Sequence, residues 1–316
     1  MQYLKHLVYM ATIGLALLFL PACNKLPAQA KSVAQEQVEF ATPEEAATAL
    51  LQAFKTNDQE KLQVIFSREG MESVASGDPV SDRRDREVIA LAMEQSWRWA
   101  PHGPDGMELI IGDEQWPFPV PLVKTGNGWQ FDSEEGKEEV LARRIGRNEL
   151  DIIEVCRAFV DMQLDYASQP HDGKPAGLFA QHLRSTPGRQ DGLYWQAKHG
   201  ERPSPLGDLV AQAAAEGYDP NKPASTPFWG YHFRMLLVQG PAAPGGEKSY
   251  VVNGDMTGGF ALLAYPSKYA FTGIMIFVVG QDGIVYQKDF GKDTATLAPL
   301  LTEYNPDESW RAVQAP

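Results

Sequence analysis

The chain has 316 residues, 43% of them hydrophobic, and a formal net charge of −13. Its length predicts about two domains, and its apolar content is ample for packed cores, which argues against a wholly disordered chain. The excess of 41 acidic over 28 basic residues argues against nucleic acid as a partner, because like charges repel.

The first 22 residues have the features of a bacterial signal peptide. Lys5 precedes an apolar run, residues 7–20, that is too short for a comfortable membrane span. The run leads into LPAC at residues 20–23, which resembles the lipobox of bacterial lipoproteins. The resemblance implies cleavage before Cys23 and lipidation of its thiol. The alternative is an ordinary secretory signal followed by an accidental cysteine.

A lipidated Cys23 would hold the folded part of the chain at a membrane through a tether, residues 23–40. Several acyl chains anchor a protein stably, because each buried methylene contributes about 0.8 kcal/mol. Asn24 stands where aspartate is associated with retention in the inner membrane. We therefore expect a periplasmic protein that is lipid-anchored to the outer membrane, with the membrane as its first partner.

Residues 41–135 are predicted to form an α+β domain. TPEE at residues 42–45 combines a capping box with a proline at the first helical position, which marks a helix start. Asn127-Gly128 predicts a hairpin turn. The predicted elements are helices starting near Thr42, Asp58 and Ser81, the last continuing to Trp97, and strands at 107–111, 116–123 and 129–132.

Helices followed by a hairpin with the strand GWQF at residues 128–131 resemble the cone-shaped α+β fold of nuclear transport factor and ketosteroid isomerase. Aromatic residues concentrate in this region, which predicts either core packing or an apolar ligand pocket. In the second case Glu94 or Asp132 would be a buried carboxylate able to act as a base. The candidate pocket residues are Trp97, Trp116, Phe118, Trp129, Glu94 and Asp132.

Residues 136–167 are predicted to form one long amphipathic helix. Its apolar residues Ile145, Ile152, Cys156 and Phe159 recur close to the helical period of 3.6, and no proline interrupts them. Thirty helical residues would span about 45 Å, which exceeds a small domain. We therefore expect this helix to connect two domains.

Residues 168–316 are predicted to form a second domain, with an antiparallel meander packed on the long helix. A short helix ending at Gly217 precedes the strands. The pattern resembles the globular part of type IV pilins, which implies a pilin-like module. The densely charged residues 137–149 argue against a filament subunit. The predicted strands are 230–239, 249–252, 260–265, 273–279 and 284–288.

A glycine-rich stretch, NGDMTGGF at residues 253–260, allows two interpretations. Glycine permits tight turns between strands, and it also permits close approach of another chain. In the second case the stretch would be a recognition edge for a partner strand. The candidate edge residues are Asn253, Gly254, Gly258, Gly259 and Phe260.

Five motifs together resemble the signature of an uncharacterised bacterial family of envelope proteins, domain of unknown function 2950. The resemblance covers nearly the whole mature chain and implies no established activity. The motifs are SGDPV at 76–80, WPFP at 116–119, RIGRNEL at 144–150, DGLYW at 191–195 and NGDMTGGF at 253–260.

Motifs of metal, redox and serine-hydrolase chemistry are absent from the sequence, which contains no H-E-x-x-H, C-x-x-C or G-x-S-x-G. We therefore predict no catalytic residues, metal or cofactor. The first functional hypothesis is a non-enzymatic envelope lipoprotein that binds or scaffolds an unidentified envelope protein or small ligand. The alternative is an enzyme or carrier for a small apolar ligand in the aromatic pocket of the first domain.

Overall fold

The computed structural model describes residues 37–219 and 226–314, which fold as an α+β protein, as predicted. The predicted signal peptide and Cys23 lie outside these residues. The helices are α1 (Pro43–Thr56), α2 (Gln59–Phe66), α3 (Arg68–Val74), α4 (Pro79–Gln95), α5 (Ser133–Ala167), α6 (Gly207–Glu216) and α7 (Thr294–Leu297). The strands are β1 (Trp97–His102), β2 (Gly106–Ile111), β3 (Trp116–Pro117), β4 (Leu122–Thr125), β5 (Gly128–Phe131), β6 (His182–Arg184), β7 (Gly192–Tyr194), β8 (Tyr231–Leu236), β9 (Val238–Gln239), β10 (Lys248–Ser249), β11 (Val251–Val252), β12 (Asp255–Met256), β13 (Ala261–Pro266), β14 (Met275–Gly280), β15 (Val285–Asp289) and β16 (Arg311–Ala312).

The first hydrophobic core lies between α1–α4 and an antiparallel sheet of order β1-β2-β4-β5, with β3 paired to β2. Leu109 and Leu122 are fully buried in it. The capping box at the start of α1 forms with both of its reciprocal hydrogen bonds. Thr42 Oγ1 accepts the Glu45 N–H at 3.2 Å, and the Glu45 carboxylate accepts the Ala41 N–H at 3.1 Å.

Two predicted elements of this region differ in the structure. Trp97 begins β1 rather than ending the third predicted helix, because Ser96 is extended and the strand pairs with β2 along its whole length. The predicted strand 116–123 is divided into β3 and β4 by its prolines, which cannot donate ladder hydrogen bonds. Phe118 N–H still donates to Leu109 O at 2.7 Å. Helix α3 was not predicted.

Helix α5 runs for 35 residues and is unbroken at Gly146. It begins three residues before the predicted start, because Asp132 Oδ1 accepts the Glu135 N–H at 3.0 Å and caps the first turn. Val140 in its first half packs against the first core, whereas Cys156 in its second half is fully buried in the second core. Burial raises the pKa of the Cys156 thiol to about 12, so this thiol is a small apolar side chain at neutral pH.

The second hydrophobic core is built on an antiparallel sheet of order β16-β15-β14-β13-β8. The predicted strand 249–252 does not join this sheet. It is divided at Tyr250 into β10, which pairs with β9, and β11, which pairs with β12. Tyr250 is buried, its hydroxyl donates to Gln239 Oε1 at 3.0 Å, and its N–H donates to Leu237 O at 2.8 Å.

The middle of α5 joins the two cores by polar contacts on both sides. Arg147 forms a bidentate ion pair with Asp85 of α4, at 2.7 and 2.8 Å. Asn148 Nδ2 donates to Thr272 O at 2.9 Å, just before β14. Glu149 Oε1 accepts the two backbone N–H groups that begin that strand, at 2.8 and 2.9 Å.

The described residues fall within one compact unit that contains the two separate hydrophobic cores. That each core is an independent domain, with boundaries after residues 135 and 167, stays a prediction. Within the part of the chain that the structure describes, no helix has both the length and the apolarity needed to cross a membrane.

Candidate functional site

A cavity of about 490 Å³ lies between the second core and the start of α4. This volume is within the range of about 300–1,000 Å³ that is usual for small-molecule sites. One part of the wall is the face of α5 that carries Val155, Phe159 and Met162, and another is the face of α6 that carries Leu209, Val210 and Ala213. Residues of β6, β7, β8 and β13 and of the loops at 76–80, 217–219, 226–230 and 267–272 also contribute to the lining.

Helix α6 presents one continuous apolar face to this cavity. Leu206, Leu209, Val210, Ala213 and Gly217 all line it, and their spacings of three, four, seven and eleven place them on one side of a helix. Gly217 ends α6 in the left-handed conformation, with φ 108°, and its N–H donates to Ala213 O at 3.1 Å. Glycine adopts this conformation without steric strain.

The cavity opens to solvent where the end of α6 meets the start of α4. Asp78 caps α4, with Oδ1 accepting the N–H groups of Val80 at 3.0 Å and Ser81 at 3.2 Å. Its Oδ2 accepts the Tyr218 hydroxyl at 2.6 Å, which links the two helices. The lining residues that are themselves exposed are Gly77, Pro79, Arg184, Gly217, Asp219 and Thr226. All of them except Arg184, which belongs to β6, lie in this part of the wall.

The interior of the cavity is suited to an apolar occupant. Phe159, Leu193 and Leu262 form a floor that is almost completely buried. Among the described residues, the buried side-chain nitrogen and oxygen atoms without a hydrogen bond all belong to residues outside the lining. The buried part of the wall therefore presents no unmet hydrogen bond for a ligand to satisfy, and apolar contact is the interaction that it offers.

Arg144 is a buried arginine of α5 that supports the junction between the cores. Its Nη2 donates to Val74 O at 2.6 Å, and its guanidinium lies over the Phe271 ring, 4.8 Å from the centroid. Desolvation lowers the pKa of Arg144, while the charge of Asp82 opposes this shift. Its Nη1 is buried without a partner among the described residues, and Arg144 is not one of the residues that line the cavity.

None of the six predicted pocket residues lines the cavity beside α6. Phe118 is buried against other phenylalanines of the first core, and Trp97 and Trp129 pack at its edge. Trp116 is 37% exposed and lies under the Arg143 guanidinium at 4.8 Å. Trp97, Phe118 and Trp129 thus pack in or against the first core, whereas Trp116 is partly exposed.

The two carboxylates of that predicted pocket are both committed elsewhere. Glu94 is exposed and forms an ion pair with Lys55, so it is not the buried base that the alternative required. Asp132 caps α5. Neither residue lines the cavity beside α6, nor do the four aromatic residues.

The predicted partner edge at residues 253–260 is a turn followed by buried chain. Asn253 and Gly254 have positive φ, 54° and 84°, and connect β11 to β12. A side chain at Gly259 would meet the Tyr250 ring. Phe260 is fully buried, with its ring centroid 5.6 Å from that of Phe159, so it is not accessible to a partner strand.

The cavity itself was not predicted from the sequence, because its walls come from segments far apart in the chain. The one local signal of the cavity was the apolar face of α6, and a face of this kind is typical of any amphipathic helix. The described residues contain no group of three or more His, Cys, Asp or Glu side chains that could hold a metal ion.

Fold and site together define an α+β protein with two hydrophobic cores and an apolar cavity where they meet. The family model described as "Protein of unknown function (DUF2950)" matches residues 37–313. The chain therefore belongs to this family, as its five motifs predicted. No curated protein and no solved structure matches the chain significantly.

Proposed function

We propose that this protein is a cell-envelope lipoprotein that binds a small apolar molecule and performs no catalysis. The observation that carries the proposal is the cavity of about 490 Å³ beside α6, with its buried apolar floor. Sites of this kind are concave, largely apolar and placed between structural units. The site differs from the aromatic pocket expected in the first core.

Binding is favoured over catalysis by the state of Asp78, one of two carboxylates at the cavity mouth. A general base needs a free lone pair within reach of the substrate proton. Asp78 instead accepts hydrogen bonds from two backbone N–H groups and from the Tyr218 hydroxyl. This carboxylate holds the mouth together rather than facing a reactant.

Filling the cavity is expected to abolish ligand retention. Ala213→Phe places an aromatic ring on the lining face of α6, whereas Ala211→Phe places the same ring on its exposed face. Full-length protein would be purified in parallel, and the bound apolar compounds would be extracted and quantified by mass spectrometry. We expect the Ala213→Phe variant to retain at least tenfold less than the wild type and Ala211→Phe to match the wild type.

Equal retention by both variants would contradict binding in this cavity. So would the absence of any apolar compound from the wild-type extract together with no binding of an added fluorescent probe. Circular dichroism of each variant would establish that the fold is intact.

The proposal includes a lipid anchor on Cys23, which lies outside the described residues, and anchoring at the outer membrane. Cys23→Ser is expected to abolish incorporation of radiolabelled palmitate and to remove the protein from outer-membrane fractions. Cys156→Ser is the matched control. Cys156 is fully buried, so this variant should incorporate as much label as the wild type. Labelling that persists in Cys23→Ser would disprove the anchor.

The proposal extends to two finer structural likenesses. The packing of α1–α4 on a mainly antiparallel sheet supports a likeness of the first region to the nuclear transport factor cone. The packing of α5 with the sheet β16-β15-β14-β13-β8 supports a pilin-like second region. Superposition of an experimental structure on members of these folds would test both, and a different strand order would contradict them.

A further inference from the structure

We infer that the cavity binds an unbranched acyl chain of about 14 carbons, lying along α6. The inference rests on the proposed binding function and adds the chemical class and the length of the ligand. It depends on three properties of the cavity: its length, its width and the polarity of its lining.

The length follows from the lining residues of α6. The cavity wall includes Leu206 at one end of this helix and Gly217 at the other. Eleven helical steps cover about 16 Å at 1.5 Å per residue. An extended chain advances about 3.3–3.6 Å for every three bonds, so about 16 Å accommodates about 14 carbons.

The width follows from the volume. A cavity of about 490 Å³ spread over about 16 Å has a mean cross-section of about 30 Å², which corresponds to a tube about 6 Å wide. Carbon atoms in contact lie about 4 Å apart, so a tube of this width accepts a hydrocarbon chain.

The interior of the cavity and its exposed wall differ in polarity. The floor consists of apolar side chains, among them Leu193 and Leu262, and lacks unpaired buried polar atoms. The exposed lining residues include the charged side chains of Arg184 and Asp219. A ligand that is apolar along its length and polar at one end suits this arrangement, because its polar group can stay in water beside the exposed residues.

A single acyl chain can come from a free fatty acid or from a lysophospholipid, and one experiment examines both. Full-length protein is held in CHAPS, a detergent without an alkyl chain. Saturated fatty acids and lysophosphatidylethanolamines of 10 to 18 carbons then displace a dansyl-labelled fatty acid. We expect affinity to rise about fourfold per methylene up to about 14 carbons, and to change less than twofold beyond that length, in at least one of the two series.

A second variant tests the length directly. Leu206→Trp would close the end of the cavity farthest from the mouth and shorten it by about 4 Å, the rise of three residues. We expect the plateau to move to a chain about three or four carbons shorter, with affinity for the 10-carbon ligand unchanged. That unchanged affinity also shows that the variant is folded.

The outcomes separate this inference from the proposed function. If the labelled probe binds the wild type and fails to bind Ala213→Phe, while affinity is independent of chain length in both series, the cavity binds ligands but the acyl-chain inference is wrong. A steady rise to 18 carbons also overturns it, because the tube would then be longer than α6. Failure of any probe to bind overturns both proposals.

Discussion

Replacement of Glu149 by alanine is expected to lower the free energy of unfolding by about 3 kcal/mol. The Glu149 carboxylate accepts the N–H groups of Ile274 at 2.8 Å and Met275 at 2.9 Å, where β14 begins. Hydrogen bonds to a charged group contribute about 1.5–3 kcal/mol each, and the alanine variant loses both. Urea denaturation followed by tryptophan fluorescence would measure the change.

Two variants serve as controls for this prediction. Glu149→Gln keeps one acceptor oxygen at the same position and is expected to lose only about 1 kcal/mol. Glu154→Ala removes an exposed carboxylate of the same helix, whose ion pair with Arg157 is at the surface, and should change stability by less than about 0.5 kcal/mol. If Glu149→Ala and Glu154→Ala were equivalent, the contact between α5 and β14 would not stabilise the protein as described.

Replacement of Gly273 by alanine is expected to destabilise the protein by about 3 kcal/mol through overpacking. A Cβ at this position would overlap the hydroxyl end of the Tyr231 side chain. Tyr231 is fully buried, and its hydroxyl donates to Met275 O at 3.0 Å. Burial also raises the pKa of Tyr231, so the hydroxyl remains a donor at neutral pH. The added methyl group would force the ring aside and weaken this hydrogen bond.

A second glycine provides a control of opposite sign. A Cβ at Gly146 would meet no atom within 4 Å, and the residue is in the interior of α5. Gly146→Ala should therefore raise the free energy of unfolding by about 0.5–1 kcal/mol, because alanine loses less backbone entropy in a helix. Thermal unfolding of both variants measures the two effects. Shifts of the same sign would contradict the packing described around Gly273.

The sequence predicts best those elements whose signals are local. The capping box of Thr42 and Glu45 forms as expected, since its donors and acceptors lie within four residues. The α+β class and the buried strands β13 and β14 were also recognisable, because unbroken apolar runs indicate central strands. At Asp132 a local signal was overlooked. This residue was considered as a possible base, but it caps α5, and the acidic residues Glu134 and Glu135 that follow it are typical of a first helical turn.

Strands that form only through contacts with residues distant in the sequence were not predictable from local signals. Strand β1 contains Pro101 and no regular alternation, and it is a strand because β2 pairs with it from Gly106 to Ile111. The stretch 249–252 has strand propensity throughout. It divides because Tyr250 packs into the second core and bonds to Gln239. Tertiary contacts override local preference in both cases.

The candidate site was even harder to predict, because its walls depend entirely on contacts between distant residues. Two of the five family motifs contribute to the cavity, through Asp78 at its mouth and Leu193 at its floor. The sequence identified both motifs without a role for either, because nothing local to them shows that they share a wall with α6. Sequence signals of catalysis, such as paired carboxylates or metal-ligand spacing, do not reveal a site whose floor is apolar.

The central turn of α5 has a consequence for how this chain can vary. Arg147 contacts Asp85 on one side, and Asn148 and Glu149 contact the chain before β14 on the other. Inserting or deleting one residue between Gly146 and Asn148 would leave α5 helical. It would nevertheless rotate the second half of α5 by about 100° relative to the first half and shift it by about 1.5 Å along the helix axis. Homologous chains should therefore tolerate substitutions here far more readily than any change in length.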